Sequence, residues 1–236
     1  MSVSARKHPS SLSAVQSGII SCERCPRLRA YSREVGRTRK AAFRDQVYWA
    51  RPVPGFGDPK ARILVLGLAP AAHGANRTGR VFTGDGVGAS GDFLMSALKR
   101  AGFSNIGTSQ RPDDGLTLTD VYIAAAVRCA PPANKPLPEE VDRCLPHLLA
   151  EIAQLPNLQV VVALGKIAWD AWLRAVAIGG DPIPKPKPQF GHGETAVIGQ
   201  WLLVGAYHPS RQNTNTGVVT PKMYDKVFGT VRESLR

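Results

Sequence analysis

Four short apolar runs punctuate the chain: ILVL at 63–66, VYIAAAV at 121–127, QVVVAL at 159–164 and WLLVGA at 201–206. Uninterrupted runs of this length predict strands covered on both faces, since a half-exposed strand would alternate apolar and polar residues. The stretches between them change period to that of a helix. Ser90 stands as an N-cap ahead of Phe93, Leu94, Ala97, Leu98 and Ala101, and Gly102 takes the C-cap place. Pro138, Glu139 and Glu140 open a second helix with an apolar face of Val141, Cys144, Leu145, Leu148, Leu149, Ile152 and Leu155, which Pro146 should kink. Gly165 opens a third, with Ile167, Ala168, Ala171, Trp172 and Ala175 inward, and Thr220-Pro221 cap a last one built on Tyr224, Val227, Phe228 and Val231. Strands alternating with helices predict an α/β fold of three layers, with a central four-stranded parallel sheet flanked by helices. Residues 1–17 are Ser-rich and weakly apolar, which predicts a disordered tail. Residues 18–236 are expected to form a single domain, including a basic, helical arm that follows Cys22.

The first strand runs into about two dozen Gly-rich residues before the next helix, and a loop that long inside an α/β unit is usually functional. It carries His73, Asn76, two arginines, Phe82 and Asp85. It lies beyond the carboxyl end of a strand, where open α/β sheets bind their ligands. Neither G-x-G-x-x-G nor a phosphate-binding P-loop is present, so a nucleotide cofactor is not indicated. A proline-rich loop, Pro131-Pro132-Ala133-Asn134-Lys135-Pro136, follows the second strand, and Tyr207-His208-Pro209-Ser210 follows the fourth. All three loops are expected on one edge of the sheet.

Charge and cysteines narrow the partners. Thirty Lys and Arg oppose 18 Asp and Glu, a net +12, which points to an anionic partner and to nucleic acid first. Arg33, Arg37, Lys40 and Arg44 would form one stripe if their segment is helical. No apolar run reaches the 20 or so residues of a membrane span. Ile19-Ile20-Ser21-Cys22 imitates a lipoprotein cleavage box, but the residues ahead of it are too polar for a signal core. A cytoplasmic protein, bound to no membrane, is expected. In a reducing compartment Cys22, Cys25, Cys129 and Cys144 supply the number of thiolates a metal site needs; zinc and an iron–sulfur cluster would both fit, and ordinary unliganded cysteines are the remaining alternative. The second pair is not a C-x-x-C knuckle, which counts against a zinc ribbon.

Gly67-Leu68-Ala69-Pro70-Ala71-Ala72-His73-Gly74, Gly79-Arg80-Val81-Phe82-Thr83-Gly84-Asp85 and His208-Pro209-Ser210, together with the four cysteines, resemble the family 5 (type b) uracil-DNA glycosylases. The likeness runs from about Cys22 to the C-terminal helix. It implies a uracil-DNA glycosylase-like sheet, a structural [4Fe-4S] cluster on Cys22, Cys25, Cys129 and Cys144, and removal of uracil, hypoxanthine and some adducted bases from DNA. It favours iron–sulfur over zinc. A bacterial cytoplasmic or nucleoid repair enzyme acting as a monomer is then expected, its partner DNA carrying uracil or another damaged base.

The residues suit that chemistry. Cleaving a base from deoxyribose passes through a cation-like sugar and an anionic base, so the site needs negative charge or an oriented water on one side and hydrogen-bond donors on the other. Asp85 is the candidate to position the water, His208 the donor to the pyrimidine O2, and Phe82 the stacking platform for a base taken out of the helix. Asn134 is the amide matched by the resemblance, in contact with the base or the water. Ala69, Ala71, His73 and Asn76 complete the expected substrate contacts, and Arg211, Gln212 and Asn213 would follow the duplex or fill its gap. The first motif has Ala71-Ala72 where other uracil-removing families place a polar water-activating side chain, which leaves that task to Asp85. A non-catalytic DNA-binding protein with a structural metal is the alternative; an α/β hydrolase is disfavoured because the nucleophile elbow G-x-S-x-G is absent.

Overall fold

The computed structural model describes residues 11–235, and within them the four apolar runs are strands of one sheet. They are β2 (Ile63–Gly67), β3 (Val121–Ala125), β4 (Val160–Leu164) and β6 (Trp201–Ala206), all parallel in the order β3-β2-β4-β6. Two short antiparallel strands that the hydrophobic pattern did not announce, β1 (Phe56–Gly57) and β5 (Thr195–Ile198), extend the sheet to six. Both are edge strands, so they need not carry a buried run on both faces.

Eight α-helices, α1 (Leu12–Ile20), α2 (Pro26–Thr38), α3 (Ala75–Thr78), α4 (Ser90–Arg100), α5 (Pro138–Ile152), α6 (Lys166–Gly179), α7 (Arg211–Asn215) and α8 (Pro221–Ser234), and two short 3₁₀ helices at Ala41–Phe43 and Pro132–Asn134 complete the described residues. Alternate strand residues serve opposite faces, as the two-residue period of a strand requires. Ile63, Val65, Val121, Ile123, Val160 and Val162 pack beneath α4 and α8, while Leu64, Leu66, Tyr122, Ala124, Val161 and Ala163 pack beneath α2, α5 and α6. The chain moves one way along the sheet from β2 to β3 and the other way from β3 through β4 to β6. Right-handed crossovers then put α4 on one face and α5 and α6 on the other. The reversal falls between β2 and β4, which is where ligands bind in open α/β sheets.

Several expectations need correction. The tail expected over 1–17 gives way to α1 from Leu12, capped by the Ser11 hydroxyl accepting from the Ala14 amide, with Val15 and Ile19 buried; residues 1–10 lie outside the described residues. Gln16 ties that helix down by donating to the Gly55 carbonyl at 3.0 Å and the Tyr122 hydroxyl at 3.2 Å. Ser90 is the first residue of α4 and makes no capping bond. Asp92, in the first turn, instead ties the helix to its surroundings, its carboxylate accepting from the Gly88 and Ser109 amides. Ile167 points outward at 46% exposure, and Trp169 takes the inward place at 1%. The cationic stripe does not exist as a row: α2 ends at Thr38, Arg39 turns the backbone to φ +54°, and Arg33 and Arg37 are held by Glu23 and Glu34.

A polar network is sealed inside the layer under α5. Arg128 and Glu151 are each 1% exposed and 2.5 Å apart, and the Glu151 carboxylate also accepts from the Tyr122 hydroxyl at 3.0 Å and the Gly55 amide at 2.9 Å. Removing the acid alone would strand the guanidinium in a dry layer. Glu151→Ala should therefore lower the unfolding free energy by about 3–5 kcal/mol, read from the shift of a urea midpoint at unchanged slope.

Candidate active site and cysteine centre

A cavity of about 410 Å³ opens at the carboxyl ends of β2 and β3, and Phe82, Asp85, Asn134, His208, Ala69 and Ala71 all line it. The three loops expected to share an edge thus meet in one place. A neighbouring cavity of about 400 Å³ shares Ala71, Asp85, Asn134 and Arg211 with the first and adds His73 and Lys40.

The loop that brings Asp85 here is fastened by two arginines absent from the candidate site residues. Arg80 is 9% exposed and grips Asp114 with one nitrogen at 2.7 and 2.8 Å; it also donates to Thr83, Ser109 and the Pro112 carbonyl. Arg77 donates to the His73 carbonyl at 2.9 Å and the Gly84 carbonyl at 2.6 Å, and its guanidinium lies 4.0 Å from the Phe43 ring centre. These bonds cross from α3 to the residue before Asp85. The one signal for them along the chain is the Arg80 inside the glycine motif, but Asp114 lies too far away in sequence to be paired by spacing.

Close backbone approach finishes the arrangement. A Cβ on Gly74 would lie 1.6 Å from an Asp85 carboxylate oxygen, and one on Gly67 would lie 2.8 Å from the Phe82 ring. Phe82 itself holds φ +52°, a conformation that costs a non-glycine residue about 1–3 kcal/mol and persists where surrounding contacts enforce it. Its ring stacks on His208 with centres 5.9 Å apart and planes 29° from parallel. His208 is set by the end of β6, and Asn213 donates to its carbonyl at 2.8 Å.

Electrostatics separate the two titratable groups. Burial pushes the Asp85 carboxyl up to about 6, partly offset by Arg77 and Arg211 nearby. Burial pushes His208 down to about 4, so its imidazole is neutral at physiological pH. Among the described residues none donates a hydrogen bond to the Asp85 carboxylate or pairs with the His208 ring. Both keep their hydrogen-bonding capacity for whatever enters the cavity.

The other expected residues divide. Arg211 lines both cavities and donates to the Val87 carbonyl at 3.4 Å; Gln212 is exposed on α7, while Asn213 braces His208. His73 faces the second cavity, its Nδ1 at 3.0 Å from the Tyr48 hydroxyl. Asn76 does not reach either cavity: it is 0% exposed and donates to the Ser32 and Ala72 carbonyls, tying α3 to α2. Asn134 stands at the exposed rim with φ +56°.

On the opposite face of the sheet the four cysteines are free thiols, three of them buried. Cys25 and Cys144 are neighbours, and Cys129 feels both Cys22 and Cys25, so the N-terminal arm, the end of β3 and α5 converge here. The Cys144 thiol beside it holds Cys25 down at about 7; Cys25 and burial push Cys144 up, while burial raises Cys129 to about 11. Arg143 lies near Cys25, Arg29 near Cys129 and Arg128 near Cys144. Cationic neighbours of this kind favour thiolates. As the side chains stand, no group of three or more His, Cys, Asp or Glu among the described residues is arranged to hold a metal ion. No described helix is long and apolar enough to cross a membrane.

The family model described as the Uracil DNA glycosylase superfamily matches residues 54–232. The type-5 uracil-DNA glycosylase of Thermus thermophilus is 50% identical, over 89% of this chain and 92% of that protein. The type-5 enzyme of Mycobacterium tuberculosis is 49% identical, over 88% of this chain and 75% of its own length. A type-4 uracil-DNA glycosylase of Pyrobaculum aerophilum is 32% identical over 69% of this chain and 74% of its own.

The close packing around Asp85 can be probed by substitution. Gly74→Ala should displace the Asp85 carboxylate while leaving the circular dichroism and the cooperative melt in place. Because the folded pKa of Asp85 lies above its ordinary value of 3.8, the wild type loses stability as pH rises from about 4 through about 6. Asp85→Asn, which cannot ionise, should therefore be the more stable form above pH about 6, by about 1–3 kcal/mol, with the difference gone near pH 4. Melting temperatures at the two pH values check the sign.

Proposed function

The chain belongs to the uracil DNA glycosylase superfamily, among its type-5 members, and from that premise we propose that it hydrolyses the N-glycosidic bond of uracil in DNA and leaves an abasic site. The observation that carries this reading is that Asp85 and His208, unpaired and opposite in character, face one cavity.

The target nucleotide leaves the base stack, at a cost of a few kcal/mol, and is held by stacking and by hydrogen bonds to its edge. Phe82 supplies the ring. As the glycosidic bond lengthens, the base gains negative charge at O2 and the sugar becomes cationic. Neutral His208 donates an N–H to that oxygen, where a protonated imidazole would also donate but is disfavoured by burial. The Asp85 carboxylate faces the sugar, stabilises its positive charge and orients the attacking water. Asn134, at the rim, supplies an amide to the base or the water, and the loop of Ala69 and Ala71 presents backbone to the base edge. His73 takes its substrate contact from the second cavity. Arg211 and the exposed Gln212 meet the DNA backbone, whose charge suits the chain's net +12.

The cavity volume lies within the range of small-ligand sites and is generous for one pyrimidine ring. That supports acceptance of hypoxanthine and other damaged bases beside uracil. The protein acts on chromosomal DNA in the cytoplasm as a monomer and stops at the abasic site. Among the described residues the one lysine at either cavity is Lys40, in the outer of the two, which gives no amine beside the sugar for a lyase step.

Cys22, Cys25, Cys129 and Cys144 hold a [4Fe-4S] cluster on this reading. Four free thiols with arginines near them suit a thiolate-ligated cluster. Cys129 and Cys144 do not form a second C-x-x-C knuckle, which weighs against a zinc ribbon. The cluster supplies a structural tie between the N-terminal arm, the end of β3 and α5, remote from the bond that breaks.

Wild-type protein should convert a uracil-containing oligonucleotide to an alkali-labile abasic product. Asp85→Ala should lose at least about 100-fold in single-turnover rate, the scale of a lost transition-state charge contact, while still binding the oligonucleotide. The wild-type rate should fall as pH drops below about 6, where Asp85 takes up a proton. An Asp85→Ala rate equal to wild type would remove the role given to it. Purified protein should be brown, with broad absorbance near roughly 400 nm from cluster thiolates; a colourless protein with stoichiometric zinc would contradict the cluster.

A further inference from the structure

Val87 stands at the tip of the loop that carries Asp85, and it is 85% exposed. A single exposed valine is ordinary on a protein surface; what separates this one is how firmly its backbone is held. The Ala89 amide donates to the Gly86 carbonyl at 3.1 Å, which closes a four-residue turn with Val87 and Gly88 at its centre. Gly88 takes φ +68°, the positive value that the third residue of a type II turn requires. Its amide donates to the Asp92 carboxylate at 2.9 Å, and Arg211 reaches across from α7 to donate to the Val87 carbonyl at 3.4 Å. The residues on either side form cavity walls: Asp85 and Ala89 line the cavity shared with His208, and Gly86 lines the neighbouring one. The backbone is therefore fixed at the mouth of the site, while the side chain, whose branched Cβ leaves it few rotamers, is left in solvent.

We propose that Val87 is the wedge that enters the base stack and fills the gap left when the target nucleotide turns out into the cavity. The inference rests on the glycosylase reading above and names a residue for a step that reading leaves open. Extruding a base leaves its two neighbours unstacked around an empty slot, and proteins that open a duplex at one step insert an apolar side chain there. That slot adjoins the mouth through which the nucleotide left, so its filler must stand on the rim. Val87 does: two peptide links separate it from Asp85, a reach of at most about 7 Å, and Asp85 faces the sugar of the same nucleotide. Arg211 beside it is charged and lines both cavities, which fits it to a phosphate and not to the apolar interior of a stack. A turn already fixed by its own hydrogen bonds suits the task, because little freedom is lost when its tip is inserted.

The test compares single-turnover release of uracil from one oligonucleotide presented as a single strand and as a duplex. The variants are Val87→Ala, Val87→Ile and, as a control at an exposed valine of the edge strand β5, Val197→Ala. Both positions are exposed, so thermal melts should match wild type. Val87→Ala should slow release from the duplex about 10-fold, the scale of the apolar area a valine loses on truncation to alanine, and leave the single strand at the wild-type rate. Val87→Ile should keep the duplex rate, and Val197→Ala should change neither. A bulged uracil, whose departure leaves no gap to fill, should be released equally by Val87→Ala and wild type. A Val87→Ala duplex rate equal to wild type would overturn the proposal, as would an equal loss on both substrates, which would put Val87 in the site and not in the stack, or a wild type that acts on single strands alone. Any of these beside an active wild type strikes this inference and leaves the glycosylase reading in place; wild-type protein that releases uracil from neither substrate strikes that reading and the wedge with it.

Discussion

Two polar side chains, a carboxylate and an imidazole, are held half-buried at the carboxyl end of a parallel sheet without a hydrogen bond from any described residue, and much of the surrounding structure holds them there. Burial alone would relax such an arrangement. A desolvated carboxylate turns toward any available N–H, and a loop of Gly-rich chain is free to let it. What prevents this is the set of bonds made by Arg77, to the His73 and Gly84 carbonyls, and by Arg80, which anchors the loop to Pro112 and Asp114, together with the absence of a side chain on Gly74, against which the carboxylate lies. The same fastening forces Phe82 into a left-handed conformation and lays its ring along His208.

The sheet sets the positions on which that depends. β2, β3 and β6 end level with one another, through pairs such as Gly67 with Ala125 and Leu164 with Ala206, so the loops leaving them begin at one rim. The reversal of chain direction between β2 and β4 leaves the rim open. On the far side of the sheet the cysteine centre and the Arg128–Glu151 network join α1, α2 and α5 to the same strands. The first residues of α2 and the proline-rich loop bearing Asn134 are linked by Arg27, which bonds Glu140 and the Lys135 carbonyl.

The parts of this that were legible in the sequence share a physical reason. Strands buried on both faces write themselves as unbroken apolar runs, and the loops after them were expected on one edge because parallel strands must share a direction; Asp85, His208, Phe82 and Asn134 do meet there. The parts that were not legible depend on contacts distant in sequence. β1 has two residues and β5 four, too few to show a period, and both are fixed by pairing with neighbours. The cationic stripe assumed that a helix continued past Thr38, but spacing carries no sign of the turn at Arg39. Asn76 looked like a substrate contact because it lies in the functional loop, yet α3 turns it toward the Ser32 carbonyl. Ile167 and Trp169 both lie in the first turns of α6, and the helical period alone does not choose between them. The wider ring wins the buried place, where it packs edge-on against Phe190 at a centre distance of 5.9 Å.

The central claim is that the cavity holds a carboxylate and an imidazole whose usual order of proton affinity burial has reversed. A site-resolved titration by nuclear magnetic resonance of the Asp85 carboxyl carbon and the His208 ring measures this directly in the free protein. The account predicts a carboxyl midpoint near about 6 and an imidazole that stays neutral down to about pH 4. An Asp85 midpoint at the ordinary 3.8 with His208 at the ordinary 6.5 would contradict it.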